Sequence, residues 1–175
     1  MSFVSAFLRS APYRKNWPSE REGRLTRHIF KASQFVRGVR VQMRFGELSR
    51  APLRLIRLEI LDEAAECDWL ARSSDAWDED LPQSIQQRHA SLQALRDAID
   101  MRALMFDLMP QLEIAHFRVY RETLDFERAM IITGSAHRND QSFRDIHSLA
   151  MRAKVLGFSF NLEGDILRAL GSNDR

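Results

Sequence analysis

The sequence predicts an α+β fold: an antiparallel sheet of about six strands packed against two main helices, with a basic helical extension at the N-terminus. Three observations lead there. The apolar residues switch several times between helical and two-residue spacing, in the order αβββαββαβ. One helical stretch, residues 83–108, is apolar over so much of its circumference that it must be covered on more than one side. And 175 residues, 45% of them hydrophobic, suit one domain with a substantial core. Residues 1–37 read as the extension and residues 38–175 as the single domain.

Taken in chain order, Ser19 and Glu22 after Pro18 form a capping box, each side chain satisfying an amide of the first helical turn. Leu25, Ile29, Ala32 and Val36 follow at helical spacing, and Gly38 reads as the stop. The spacing then changes to two. Val39, Val41, Met43 and Phe45 alternate with Arg40, Gln42 and Arg44, the pattern of a half-buried strand with Phe45 in the core. After a loop over residues 46–52, residues 53–61 carry Leu and Ile on both faces and predict a deeper strand. Ala65, Cys67, Trp69 and Ala71 alternate with Glu66, Asp68, Leu70 and Arg72 as its partner, so these three strands form an antiparallel meander.

An acidic loop follows, and Pro82 opens the long helix, with Ile85, Leu92, Leu95, Ile99 and Phe106 along one stripe and Pro110 ending it. Residues 114–121 and 128–135 predict a second hairpin. Ser142 starts another helix, with Phe143, Ile146, Ala150 and Ala153 inward and Gly157 at its C-terminal end. Phe158, Phe160 and Leu162 alternate as a last short strand, and residues 165–170 read as a closing helical turn. The expected core is Leu95, Ile99, Phe106, Phe117, Val119, Ile131, Ile146 and Ala150.

Composition excludes several classes. A single cysteine rules out an internal disulfide framework and a cysteine-based zinc site, and seven Gly with five Pro rule out a collagenous or Pro/Gly-driven disordered chain. No run approaches the ~20 apolar residues of a membrane span. Phe3, Val4, Phe7 and Leu8 have no positive region before them and are too few for a secretory signal. Followed by Arg9, Arg14 and Lys15, they fit a segment that packs on the domain or on a partner subunit better than a membrane-surface anchor. A cytoplasmic location is the expectation.

Charge is segregated. Residues 1–57 carry 13 Lys+Arg against 3 Asp+Glu, residues 58–80 carry 1 against 9, and residues 81–175 are balanced, so the overall +2 hides a basic front and an acidic middle. Arg24, Arg27, Lys31, Arg40, Arg44 and Arg54 are the candidate basic binding surface, because clustered guanidiniums fork onto phosphate or carboxylate. Asp75, Trp77, Asp78 and Asp80 are the candidate acidic binding loop. That loop lacks the ligand spacing and central Gly of a calcium loop. It is read as meeting the basic segment, in this chain or another copy, with a solvated acidic loop as the plainer alternative.

Catalytic signals are missing. Cys67 lies between Glu66 and Asp68, the wrong charge for a reactive thiolate, and reads as a buried structural residue. The histidines at 28, 89, 116, 137 and 147 show no metal-binding spacing, so neither metal nor cofactor is expected. There is no Gly-rich phosphate loop and no nucleophile elbow, and Gly134-Ser135 reads as the start of a turn. His116, Arg118 and Tyr120 alternate with Ala115, Phe117 and Val119; a wet sheet face explains them unless they line a closed cavity.

The functional expectation is a non-catalytic protein-binding or assembly module. Its simplest form is a homo-oligomer in which the basic N-terminal segment meets the acidic loop across a two-fold axis. One alternative is a nucleic-acid-binding protein contacting phosphates through its arginines. Another is a small enzyme or ligand carrier with a pocket between sheet and helices.

Overall fold

Two strands and the helix between them set the frame. In the computed structural model, which describes residues 20–73, 75–123, 125, 127–138 and 146–171, β2 (Ala64–Leu70) and β3 (Ile114–Glu122) pair in parallel. A parallel pair needs a long crossover, and α2 (Gln83–Leu108) supplies it. β1 (Arg54–Leu61) pairs antiparallel with β2, β4 (Arg128–His137) with β3, and β5 (Phe158–Ser159) with β4, giving the order β1-β2-β3-β4-β5. β6 (Asn161–Glu163) and β7 (Ile166–Arg168) form a separate hairpin. α1 (Glu20–Gln42) packs on α2 and touches β1, while α3 (Leu149–Val155) packs on α2 and β5. The fold is α+β, as the alternating periods predict. The sheet has five strands and is mixed rather than an antiparallel one of about six. No described helix is long and apolar enough to cross a membrane.

Two-residue alternation divides the sheet into two faces. Ala65, Cys67 and Trp69 of β2 stand in register with Ala115, Phe117 and Val119 of β3, all buried under the helices. Trp69 and Phe117 meet edge to face with ring centroids 6.0 Å apart. From the helical layer come Ala94, Leu95, Ala98, Met101 and Met105 of α2. Of the expected core, Leu95, Phe106, Phe117, Val119 and Ile131 are buried, Ile99 and Ala150 pack half-buried against it, and Ile146 is half-buried.

Five local readings are corrected. Residues 39–42 continue α1 instead of starting a strand, because Phe35, Val39 and Met43, four residues apart, are all buried in the core. A two-residue step on a helix turns by about 200°, so Val41 emerges on the far side from Val39, and Phe45, past the end of α1, is exposed on the loop. Gly38 is not a stop but a contact point: a Cβ there would lie 2.7 Å from Leu108 Cδ1 of α2. Residues 165–170 form no helical turn. Gly164 (φ 58°) and Asp165 (φ 66°) both take the left-handed conformation of a two-residue hairpin turn, which joins β6 to β7. Gly134 sits within β4, not at a turn. α3 starts at Leu149 with Ser148 as its cap, not at Ser142; Ser142 and Phe143 lie outside the described residues.

Candidate functional site

The most elaborate polar arrangement lies just past the end of β2 and holds the loop that follows α1. Arg72 and Asp97 are buried to 1% and 3% side-chain exposure and paired at 2.8 Å. The Arg72 guanidinium also donates to the carbonyls of Ala51 (2.6 Å) and Met43. Gln93 donates to Asp97 (2.9 Å) and accepts from the Leu48 amide (2.7 Å). On the loop's other flank, the Asp75 carboxylate accepts from the amides of Arg50 (2.7 Å) and Ala51 (3.1 Å). Gly46 is required here, since a Cβ would meet the Gln93 side chain at 2.5 Å. Burial raises the Asp97 carboxyl above its ordinary value against the pull of Arg72. Four side chains thus fix one surface loop, residues 43–51, which presents Phe45 to solvent.

Beside this loop, between α2 and the start of α3, lies a cavity of about 820 Å³. Phe45, Glu47, Arg96, Asp100, His147 and Arg152 are among its walls. Its charges answer one another: Arg96 pairs with Glu47 at 2.5 Å, and Asp100, raised by burial, faces Arg152 and Arg96. Neither sign is left in marked excess to draw a ligand. Among the described residues no group of His, Cys, Asp and Glu is placed to hold a metal ion.

The face of the sheet away from the helices is polar. His116 Nδ1 lies 2.8 Å from Ser135 Oγ, and Arg118 pairs with Glu66 and, at 3.2 Å, with Asp68. Arg57 binds Glu59 and, at 3.0 Å, Glu66. His116 and Arg118, with Ser135, edge an open depression of about 300 Å³, and Tyr120 is not among its walls. The carboxylate that would orient His116 in a triad, Glu66, is held instead by two arginines. Beneath this face Cys67 is buried, and burial pushes its thiol up, so it is no nucleophile.

The structure brings some of the predicted binding residues together and sets others apart. Arg24 and Arg27 lie in α1, but their side chains fall outside the described residues; Lys31 is half-buried. Arg40 on α1 and Arg44 just past its end are exposed, and the Arg44 guanidinium lies 5.0 Å from the centre of the Phe45 ring. Arg54 is apart from them on β1, 3.7 Å from Glu122. In the acidic loop Asp75 turns inward to the backbone of residues 50–51, and Asp78 lies 3.6 Å from His89. Trp77 is 77% exposed and Asp80 is exposed, so neither covers the basic helix among the described residues.

Sequence reasoning missed a different feature. Phe30 and Val41 lie on the outward side of α1 and Phe45 on the loop after it, 60%, 69% and 61% exposed, with the exposed Arg37, Arg40 and Arg44 nearby in the chain. The signal was present in Phe30 and Val41, eleven residues or about three turns apart and so on one helical face, once α1 is carried past Gly38. No family model matches the chain, and no curated protein or solved structure matches it either.

Proposed function

We propose that this chain is a non-catalytic protein-binding or assembly module of the cytoplasm, with its contact surface at the α1 and β1 end of the fold and the basic N-terminal extension, residues 1–37, contributing to it. One observation carries the reading: two large apolar side chains on the outer side of α1, Phe30 and Val41, and a third on the loop after it, Phe45, are exposed, with arginines among them. Aromatic residues and arginine are the types enriched where proteins meet, and an apolar patch with a polar border is how such surfaces differ from ordinary exposure. The Arg72–Asp97–Gln93 clamp supports the same reading, because it fixes the loop bearing Phe45 before any partner arrives.

Hydroxyl-radical footprinting of α1 tests it, comparing dilute protein with concentrated protein and with protein in cell extract. Phe30, Val41 and Phe45 are expected to become protected in at least one of the latter two, and Val41→Glu with Phe45→Glu to abolish that protection while leaving thermal stability unchanged. Equal labelling under all three conditions contradicts the reading.

A second reading has its own observation. Arg37, Arg40 and Arg44 form no ion pair within the described residues, which leaves them open to phosphate. Binding of labelled single-stranded RNA or duplex DNA at physiological salt, weakened with a shallower salt slope by Arg40→Ala plus Arg44→Ala, supports it. No binding at any salt assigns these arginines to a protein contact.

A further inference from the structure

We infer that the partner at this end is a second copy of the chain, the two copies pairing their β1 strands antiparallel about a two-fold axis at Leu58 and so joining two five-stranded sheets into one of ten. The inference rests on the assembly reading above and names its partner.

β1 is the outermost strand of the sheet, and among the described residues its outer side has no backbone partner. An eight-residue strand is a long edge to leave open. Its sequence, Arg-Leu-Ile-Arg-Leu-Glu-Ile-Leu, is complementary to itself when reversed. With Leu58 on the axis, Arg57 stands opposite the partner's Glu59 and Ile56 opposite the partner's Ile60, while the bulge takes Leu55 out of this register. Moving the axis to Arg57 or to Glu59 sets like charges directly against each other, which is unfavourable. An odd shift sets core-facing residues against outward-facing ones. The bulge between Leu55 and Arg57 leaves residues 57–61, which carry the charge pair, regular.

Two further observations belong to the same end. Leu58 and Ile60 face the core yet are only half-buried, whereas their β2 neighbours Cys67 and Ala65 are fully buried. A strand on the outer side would complete their cover. A two-fold axis between antiparallel strands stands perpendicular to the sheet, so both helical layers lie on the same side of it. Because α1 touches β1, the two α1 helices are then brought toward each other on the same side of the joined sheet and add to the contact. That addition matters, since a stable interface buries roughly 1,200–2,000 Å² and one strand pair supplies only part of it.

The test is specific to the register. Chains carrying Arg57→Cys and chains carrying Glu59→Cys are prepared separately, then oxidised to the disulfide either alone or mixed in equal amounts; the diagonal 57–57 and 59–59 pairs lie about 7–8 Å apart, beyond a disulfide. Residues directly opposite have Cβ atoms about 4.5–5.5 Å apart, within reach of such a link. Cys67 is buried and does not compete, and the unsubstituted chain is the control. The mixture is expected to give a covalent dimer at least tenfold more abundant than either variant alone. Equal yields in all three samples, or a chain that sediments as a monomer at every concentration, overturn the pairing. If α1 is still protected in cell extract, the assembly reading stands with a different protein as partner; if it is not, both fall.

Discussion

The two edges of the sheet are finished in opposite ways. Along β4 the chain covers its own edge: β5 pairs with Thr133 and Gly134, the Ser135 amide donates to the Gly157 carbonyl (3.2 Å), and the Leu170 amide donates to the Met130 carbonyl (2.8 Å). The approach is so close that only glycine fits. A Cβ on Gly134 would lie 2.7 Å from the Gly157 carbonyl oxygen, and one on Gly157, at φ 91°, would lie 2.3 Å from that of Ser135. Along β1 there is one bulge and a pair of opposite charges, and no covering segment among the described residues. Among the described residues, then, one edge is closed by the chain itself and the other is left open, and the open one is where the proposed pairing would form.

The largest effect is expected at the clamp, which holds the β1 and α1 end in shape. Arg72→Met leaves Asp97 buried without its cation and removes the ties to Met43 and Ala51, and should cost about 3–5 kcal/mol in urea unfolding. A loss under 1 kcal/mol would mean the loop is held by other contacts. Next comes the covered edge. Gly157→Ala demands a strained backbone as well as space that is not there, and should cost about 1–3 kcal/mol. It should also free β4 as a new edge, so that association of this variant, followed by light scattering, no longer depends on β1.

A smaller effect is expected from Asp68, which stands opposite Arg57 in the β1–β2 register. Burial raises its carboxyl above the ordinary value near 3.8, although Arg118 and Arg57 draw it down. The folded chain therefore takes up this proton at a higher pH than the unfolded chain does. The stability it confers is complete below the unfolded value and is lost as pH rises through the folded one. Relative to Asp68→Asn, the wild type should thus gain stability as pH falls from 7 towards 4, read as the difference between their urea midpoints; a relative loss contradicts the assignment. Smallest of all, Arg40→Ala with Arg44→Ala should change stability by no more than about 0.5 kcal/mol, as exposed positions do.

Much of the fold was legible because burial leaves a period. The bounds of α2, the β3–β4 hairpin and the inward faces of β2 and β3 follow from the spacing of their apolar residues. What was not legible depends on partners far along the chain. Val39, Val41, Met43 and Phe45 satisfy a strand pattern locally, and only the packing of Phe35, Val39 and Met43 in a core shared with α2 keeps the chain helical through Gln42. Likewise, nothing in a local pattern says that β2 and β3 run parallel, because that is decided by where α2 can lie. The acidic loop shows the limit of charge counting: Asp75 looks like a surface charge and serves the amides of residues 50–51.

The most direct measurement is sedimentation velocity on a charge-swap series at β1, over a range of concentrations. The wild type should reach a reversible dimer, Arg57→Glu alone should sediment as a monomer because it faces the partner's Glu59, and Arg57→Glu combined with Glu59→Arg should recover the dimer. A dimer equally strong in all three, or none in any, would contradict the account.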